Sequence, residues 1–303
     1  MSDISDFKPL YGVAEEITPG LRRIVAPNPS PMTFHGTNTY ILGTGELAVI
    51  DPGPISDPHL QAILNSVGVE QKITHIIVTH SHIDHSPLAL SLSKITDAPV
   101  LAFGNSEAGK SEIMSKLKGL GGGEGVDVNF SPDSLIKDTD IIKANDWELQ
   151  AFHTPGHMGN HLCLYWSNNK ALFSGDLVMG WATSLVSPPD GDLTDFMSSL
   201  KKLMLRFHDE IYYPGHGAPI LNPRERLLEL YNHRKNREAQ ILSILGGSSS
   251  TINTITKIIY GDIDRKLIGA AKRNVLAHII DLTNREVCKP EGPFDSKAAF
   301  KLN

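Results

Sequence analysis

The stretch Thr79-His80-Ser81-His82-Ile83-Asp84-His85-Ser86 constrains this chain more than any other, because three imidazoles and a carboxylate fall within six consecutive positions. Such a set of nitrogen and oxygen donors suits a borderline-soft ion such as Zn²⁺. If the backbone is extended there, alternate residues share a face, so His80 and His82 point the same way. Asp84 and His85 then fall past the strand end, free to serve a second ion. Three later stretches carry further donors: His153-Thr154-Pro155-Gly156-His157, Phe173-Ser174-Gly175-Asp176 and Tyr213-Pro214-Gly215-His216-Gly217. Each donor sits at a strand-to-loop corner. A rigid sheet holds ligands accurately at such corners, and glycines let the backbone come close to an ion.

Short apolar runs separated by turn signals supply the strands. Residues 38–42 and 46–50 flank Gly43-Thr44-Gly45 and read as a hairpin. A helix follows over 56–67, and the β-branched run 73–79 delivers His80 at its carboxyl end. A second helix is expected over 87–96 and a strand over 99–103. Residues 105–132 are expected to form a loop, since the cluster Gly119 to Gly125 would cost a helix about 1 kcal/mol per glycine. Strands return at 140–144, 147–153, 161–166, 170–174 and 210–214, with a helix over 195–207. From Arg224 a charged helix runs to about residue 245 and breaks at Gly246. Helices over 251–260 and 266–284, then a short strand over 285–289, suggest a winged-helix-like module. The expected division is 1–223 and 224–303.

Charge is uneven along the chain. The net value is −6, yet residues 224–303 hold 14 Lys and Arg against 9 Asp and Glu, leaving −11 on the remainder. A basic end beside an acidic body can draw a polyanion toward the protein, although a solvated helical surface explains the same count. The segment from Met1 to Phe7 lacks the basic and apolar regions of a signal peptide. No apolar run is long enough to span a membrane. Cys163 and Cys288 lie far apart, and Cys163 sits in an apolar run, which favours a buried thiol over a disulfide. The expectation is a soluble, cytoplasmic protein.

Taken in order and spacing, Thr-His-x-His-x-Asp-His, Thr-Pro-Gly-His, Ser-Gly-Asp and Pro-Gly-His-Gly resemble the motif set of the metallo-β-lactamase superfamily over residues 20–222. The resemblance implies a four-layer α/β/β/α sandwich with the site at one edge between two sheets. It further implies His80, His82 and His157 on one zinc ion, Asp84, His85 and His216 on a second, and Asp176 bridging. A water between two such ions ionises near neutral pH, so a bridging hydroxide is the expected nucleophile. Asp51, in Ile50-Asp51-Pro52-Gly53, is implied as an acceptor that orients a ligand imidazole. Asp84 and Asp176 are the expected catalytic carboxylates, Asp84 also as a proton carrier to the leaving group. Trp181, Thr183 and Ser184, which follow Asp176 closely, are candidates for the substrate cleft. Asn38 and Tyr40 are candidates to reach it from the first hairpin. His35, His75, His153 and His161 are expected to serve structure, because the ligand shells are already full.

The donor set moves the reading away from the substrate the superfamily is named for, since class B1 lactamases place a cysteine where this chain has Asp176. A second resemblance covers almost the whole chain. Residues 31–40, Asn232-His233-Arg234-Lys235-Asn236-Arg237-Glu238 and Ala271-Lys272-Arg273-Asn274-Val275-Leu276-Ala277-His278 are similar to the beta-lactamase-like protein 2 family, whose members append a winged helix. That resemblance implies endoribonuclease cleavage of single-stranded RNA. The alternative is hydrolysis of a small thioester, lactone or β-lactam, because a binuclear site attacks phosphodiesters and acyl compounds alike. A nucleic-acid-binding protein with a vestigial metal site is the third reading. The C-terminal module could contact RNA, pair two copies of the chain as a homodimer, or form a pocket wall.

Overall fold

The computed structural model describes residues 7–117 and 119–303. The leader expectation at the N-terminus therefore lies largely outside the described residues. Two sheets form the body. The first holds β1 (Glu15–Thr18), β2 (Leu21–Val25), β3 (Asn38–Leu42), β4 (Glu46–Ile50), β5 (Lys72–Ile77), β6 (Val100–Ala102) and β7 (Ser134–Leu135), in sequence order across the sheet. Strands β1 to β4 pair antiparallel, and β4 to β7 run parallel. The second sheet holds β8 (Ile141–Lys143), β9 (Glu148–His153), β10 (Leu162–Trp166), β11 (Ala171–Gly175) and β12 (Ile211–Pro214). It repeats the plan: an antiparallel meander ends in the parallel pair β11 and β12. In both sheets the parallel strands deliver their carboxyl ends to the same edge.

The sheets face each other across a core that includes Leu42, Ile50 and Ile77 from one side and Leu149, Leu164 and Phe173 from the other. Helices α1 (Asp57–Asn65) and α2 (Leu88–Thr96) cover the outer face of the first sheet with Leu60, Ile63 and Leu92. A short α3 (Glu112–Lys116) follows. Helix α4 (Leu193–Met204) covers the second sheet with Phe196, Leu200 and Leu203, and its N-cap Asp192 accepts from the Thr194 amide at 2.8 Å. The result is a four-layer α/β/β/α sandwich.

Helix α5 (Pro223–Gly247) leaves this body and joins a second core. Its first turns place Leu227 and Leu230 against the second sheet, and its last turns place Ile241 and Leu245 among α6 (Ile252–Ile259) and α7 (Ile268–Asn284). A small sheet of β13 (Ser250–Thr251), β14 (Cys288–Pro290) and β15 (Ala299–Leu302) forms the wing, with β15 in the middle. The stretch 105–132, expected to be a loop, contains α3, and Met114 of that helix is buried in the C-terminal core. Tertiary packing sustains this single turn, since so short a helix is marginal by itself. The glycine cluster lies beyond it. Both cysteines are free and buried, and among the described residues no helix is long and apolar enough to cross a membrane.

Two buried histidines make the stability pH-dependent. His59 and His278 are 1% and 2% exposed. Burial lowers His59 from 6.5 to about 4, and burial with Arg234 lowers His278 from 6.5 to about 3. The unfolded chain takes up these protons near pH 6.5 and the folded chain does not, so stability is full above that value and declines as pH falls toward 4. The loss is about 1.4 kcal/mol per group per pH unit. Urea midpoints measured in chelator should fall between about pH 7 and 5 by this linkage, and His278→Leu should flatten the slope; equal slopes would contradict the assignment.

Candidate metal centre

The edge where the parallel strands end gathers all seven donors. The ligand atoms of His80, His82 and His157 lie within 4.8 Å of one another, as do those of His80, His85 and Asp176, and those of Asp84, His85 and His216. Each of these groups could hold a metal ion. The Asp176 carboxylate lies between the histidines, with Oδ1 3.6 Å from His85 Nε2 and Oδ2 3.6 Å from His157 Nε2 and 3.3 Å from His216 Nε2. Asp84 Oδ2 is 3.4 Å from His85 Nε2 and 3.2 Å from His216 Nε2.

Ring orientation follows from what holds the opposite nitrogen. His85 Nδ1 lies 2.9 Å from Asp51 Oδ2, His157 Nδ1 2.7 Å from the Leu185 carbonyl, His216 Nδ1 3.1 Å from the Gly36 carbonyl and His80 Nδ1 3.0 Å from Thr79 Oγ1. Four imidazoles thus turn Nε2 inward. His82 turns Nδ1 inward instead, 2.9 Å from His157 Nε2. An acceptor behind each of the four rings fixes its tautomer and raises its strength as a ligand. Asp51 does this in a left-handed backbone conformation, φ +51°, that few residues adopt without compensation. Its carboxylate accepts from both the Thr79 amide and hydroxyl at 2.7 Å. Those bonds draw Thr79 off the ladder of β5, which ends at Ile77.

The donors fit a cation. His80 Nε2 and Asp176 Oδ1 are buried with no hydrogen-bond partner, an arrangement that costs about 1–3 kcal/mol each and that a bound cation relieves. Burial holds His80, His82 and His157 neutral, His82 down to about 3, which leaves their lone pairs free. At His85 and His216 burial opposes the charge but the carboxylates outweigh it: Asp84, Asp176 and Asp51 raise His85, and Asp176 and Asp84 raise His216 to about 9. Gly215 allows this closeness, because a Cβ there would meet Asp176 Oδ1 at 2.3 Å and His85 Cε1 at 2.7 Å.

Two residues act that the sequence did not mark. The Asp176 amide donates to His161 Nε2 at 3.1 Å, so His161, set aside as structural, positions the backbone of a candidate metal ligand. Asn160 donates to Ser81 Oγ at 2.8 Å and so fixes the strand end between His80 and His82. Nothing in the sequence distinguishes them from core polar residues. Asn38 and Tyr40, candidates for the substrate cleft, are buried instead. Asn38 donates to the Pro214 and Gly217 carbonyls at 2.9 Å, and Tyr40 donates to the Pro214 carbonyl at 2.9 Å, so both clamp the turn that presents His216.

A cleft of about 420 Å³ opens over the cluster, with His82, Asp84, His157, Asp176 and His216 in its floor. Trp181 and Thr183 line it. Ser184 does not, because its buried hydroxyl donates to the Leu177 carbonyl at 2.9 Å. One wall comes from the C-terminal module, through Tyr260, Ile263, Leu267, Ala270, Ala271 and Asn274.

The model of the metallo-beta-lactamase superfamily matches residues 32–216, and that of the beta-lactamase associated winged helix domain matches residues 251–292. The beta-lactamase-like protein 2 homolog of Drosophila melanogaster is 32% identical over 283 residues, covering 90% of this chain and 91% of the relative. The atrochrysone carboxyl ACP thioesterase of Claviceps purpurea is 31% identical over 263 residues, covering 82% and 74%. Among solved structures, a beta-lactamase domain protein from Burkholderia ambifaria has the same fold at a TM-score of 0.83 and 21% identity, over 99% of this chain and 96% of that one.

Two variants test the centre. His80→Ala should lose bound metal in elemental analysis of the purified protein. Asp51→Asn should weaken metal affinity roughly 10- to 100-fold with circular dichroism preserved; an unaltered affinity would remove Asp51 from the role of orienting His85.

Proposed function

Since the chain belongs to the metallo-beta-lactamase superfamily and is a metal-dependent hydrolase, we propose that it cleaves an acyl thioester, using two zinc ions held by the seven clustered donors. The observation that carries this reading is the lining of the cleft. Among the described residues that line it there is no Lys or Arg, and the carboxylates are Asp84, Glu124, Asp176 and Asp190. A polyanionic RNA strand needs cations along its path, whereas an uncharged acyl group needs apolar walls, which Met32, Met179, Leu185 and Leu267 provide. The volume of about 420 Å³ falls in the range of about 300–1,000 Å³ typical of small-molecule sites.

Four of the 14 basic residues from Arg224 onward are engaged within the fold. Arg226 donates to the Met179 and Ala182 carbonyls, Arg234 to Asn274 and the Ser184 carbonyl, and Arg273 to Ser187 and the Leu120 and Gly121 carbonyls. Arg285 is paired with Asp281 and Glu238. These guanidiniums hold the protein together rather than offering charge to a ligand. Relatives named as ACP thioesterases support the same reading.

His80, His82 and His157 would hold one ion and Asp84, His85 and His216 the other, with Asp176 between them. Such a pair supplies Lewis acidity toward a carbonyl oxygen and acidifies a bound water to near neutral pH. The chain's own residues do the rest. Asp51, Leu185 and Gly36 keep the imidazoles facing inward, and Trp181 and the C-terminal wall keep water off the acyl group. Asp84, at 22% side-chain exposure the carboxylate of the cluster with most access to the cleft, is placed to pass a proton to the leaving thiolate. Two buried free thiols fit a reducing compartment, and we place the activity in the cytoplasm.

The test is a parallel assay of an acyl-N-acetylcysteamine thioester, a lactone, a chromogenic cephalosporin and single-stranded RNA. Thioester turnover should be abolished by chelator and restored by Zn²⁺. RNA cleavage without thioester turnover would sink the proposal in favour of the phosphodiesterase reading.

A further inference from the structure

Resting on the thioester reading, we infer that the C-terminal module forms the acyl-binding half of the active site and that its α7 face sets how long an acyl chain the enzyme takes. In the first half of α7, Ala270 and Ala271 face the cleft together, one turn from Leu267. Ile263 precedes them on the connecting turn. Across the cleft stand Met32, Trp181 and Leu185 from the catalytic body, and the metal ligands form the floor between the two sides. An extended apolar group joined to a carbonyl at the floor can lie between α7 and Trp181. The two alanines leave the room such a chain fills.

The wall is held rigidly enough to measure length. Arg273, on the turn after Ala270, donates through Nε to Ser187 Oγ at 2.9 Å, and through its two terminal nitrogens to the Leu120 and Gly121 carbonyls at 2.6 and 2.9 Å. Arg234, 2% exposed, donates to Asn274 Oδ1 at 2.9 Å and to the Ser184 carbonyl. These bonds pin α7 to both loops that frame the cleft. A wall fixed on both sides excludes an overlong chain where a loose one would yield. Trp181 is itself backed by Phe34, with the rings stacked at 4.9 Å.

The measurement is calorimetric titration of the full chain with non-hydrolysable thioethers, S-alkyl N-acetylcysteamines from ethyl to decyl, with and without chelator. Affinity should tighten about fourfold per methylene until the chain meets the end of the cleft. In Ala270→Phe and in Leu267→Ala the ratio of decyl to ethyl dissociation constants should rise about tenfold or more, the first by filling the space and the second by removing contact. Thermal melts show that each variant is folded. Chain-length-independent binding in the wild type, or an unaltered ratio in both folded variants, would overturn the inference even if thioesters are hydrolysed. Length-dependent binding that both variants disturb, in a protein that turns over no thioester, would uphold the acyl wall and refute the thioesterase reading.

Discussion

The carboxylate of Asp51 is the contact on which the metal centre depends. It sits at the end of β4, in a backbone conformation that L residues seldom adopt, and accepts three hydrogen bonds from Thr79 and His85. Two of these hold Thr79, two residues past the end of β5, and so set where the chain leaves the sheet and which way His80 faces. The third orients His85. Thr39 completes the support, because its hydroxyl donates to the Asp51 carbonyl at 2.7 Å while lying 2.8 Å from His59 Nε2. Burying so many polar groups at one sheet edge is unfavourable unless each has a partner, and the Asp51 network supplies partners behind the ligands rather than among them.

Much of this was legible in sequence, for identifiable reasons. The His80 to His85 cluster, the two Pro-Gly-His turns and Asp176 announce themselves because metal ligation demands specific residue types, and apolar alternation announced the central strands. What escaped depends on contacts distant in sequence. Strand β1, Glu-Glu-Ile-Thr at a sheet edge, is too polar and too short to show a period. Helix α3 exists because Met114 finds a hydrophobic site more than a hundred residues away in sequence. Asn38 and Tyr40 do share a face, but alternation does not tell whether that face opens to a cleft or to a backbone turn. Likewise the count of basic residues after Arg224 said nothing about how many would be consumed inside the fold.

Of the roles open to the C-terminal module from sequence, the pocket wall is the one its residues 260–274 take up. Helix α5 contributes to both hydrophobic cores, so no hinge separates the catalytic body from the winged helix. Arg234 stacks over Phe196 at 5.2 Å while its terminal nitrogens hold α7 and the loop after Asp176. A buried guanidinium with both ends satisfied specifies one docking geometry, since any shift would strand a charge away from water. The module thereby becomes a fixed side of the cleft.

The glycine-rich segment 119–125 joins these two observations. At one end Arg273 holds the carbonyls of Leu120 and Gly121; at the other the Gly125 carbonyl accepts from the Ile83 amide at 2.9 Å and Val126 bridges to His82. A chain of contacts therefore runs from the winged helix, through a handful of glycines, to the backbone of the candidate ligand His82. The winged helix thus reaches the candidate metal centre through the backbone as well as through the wall of the cleft.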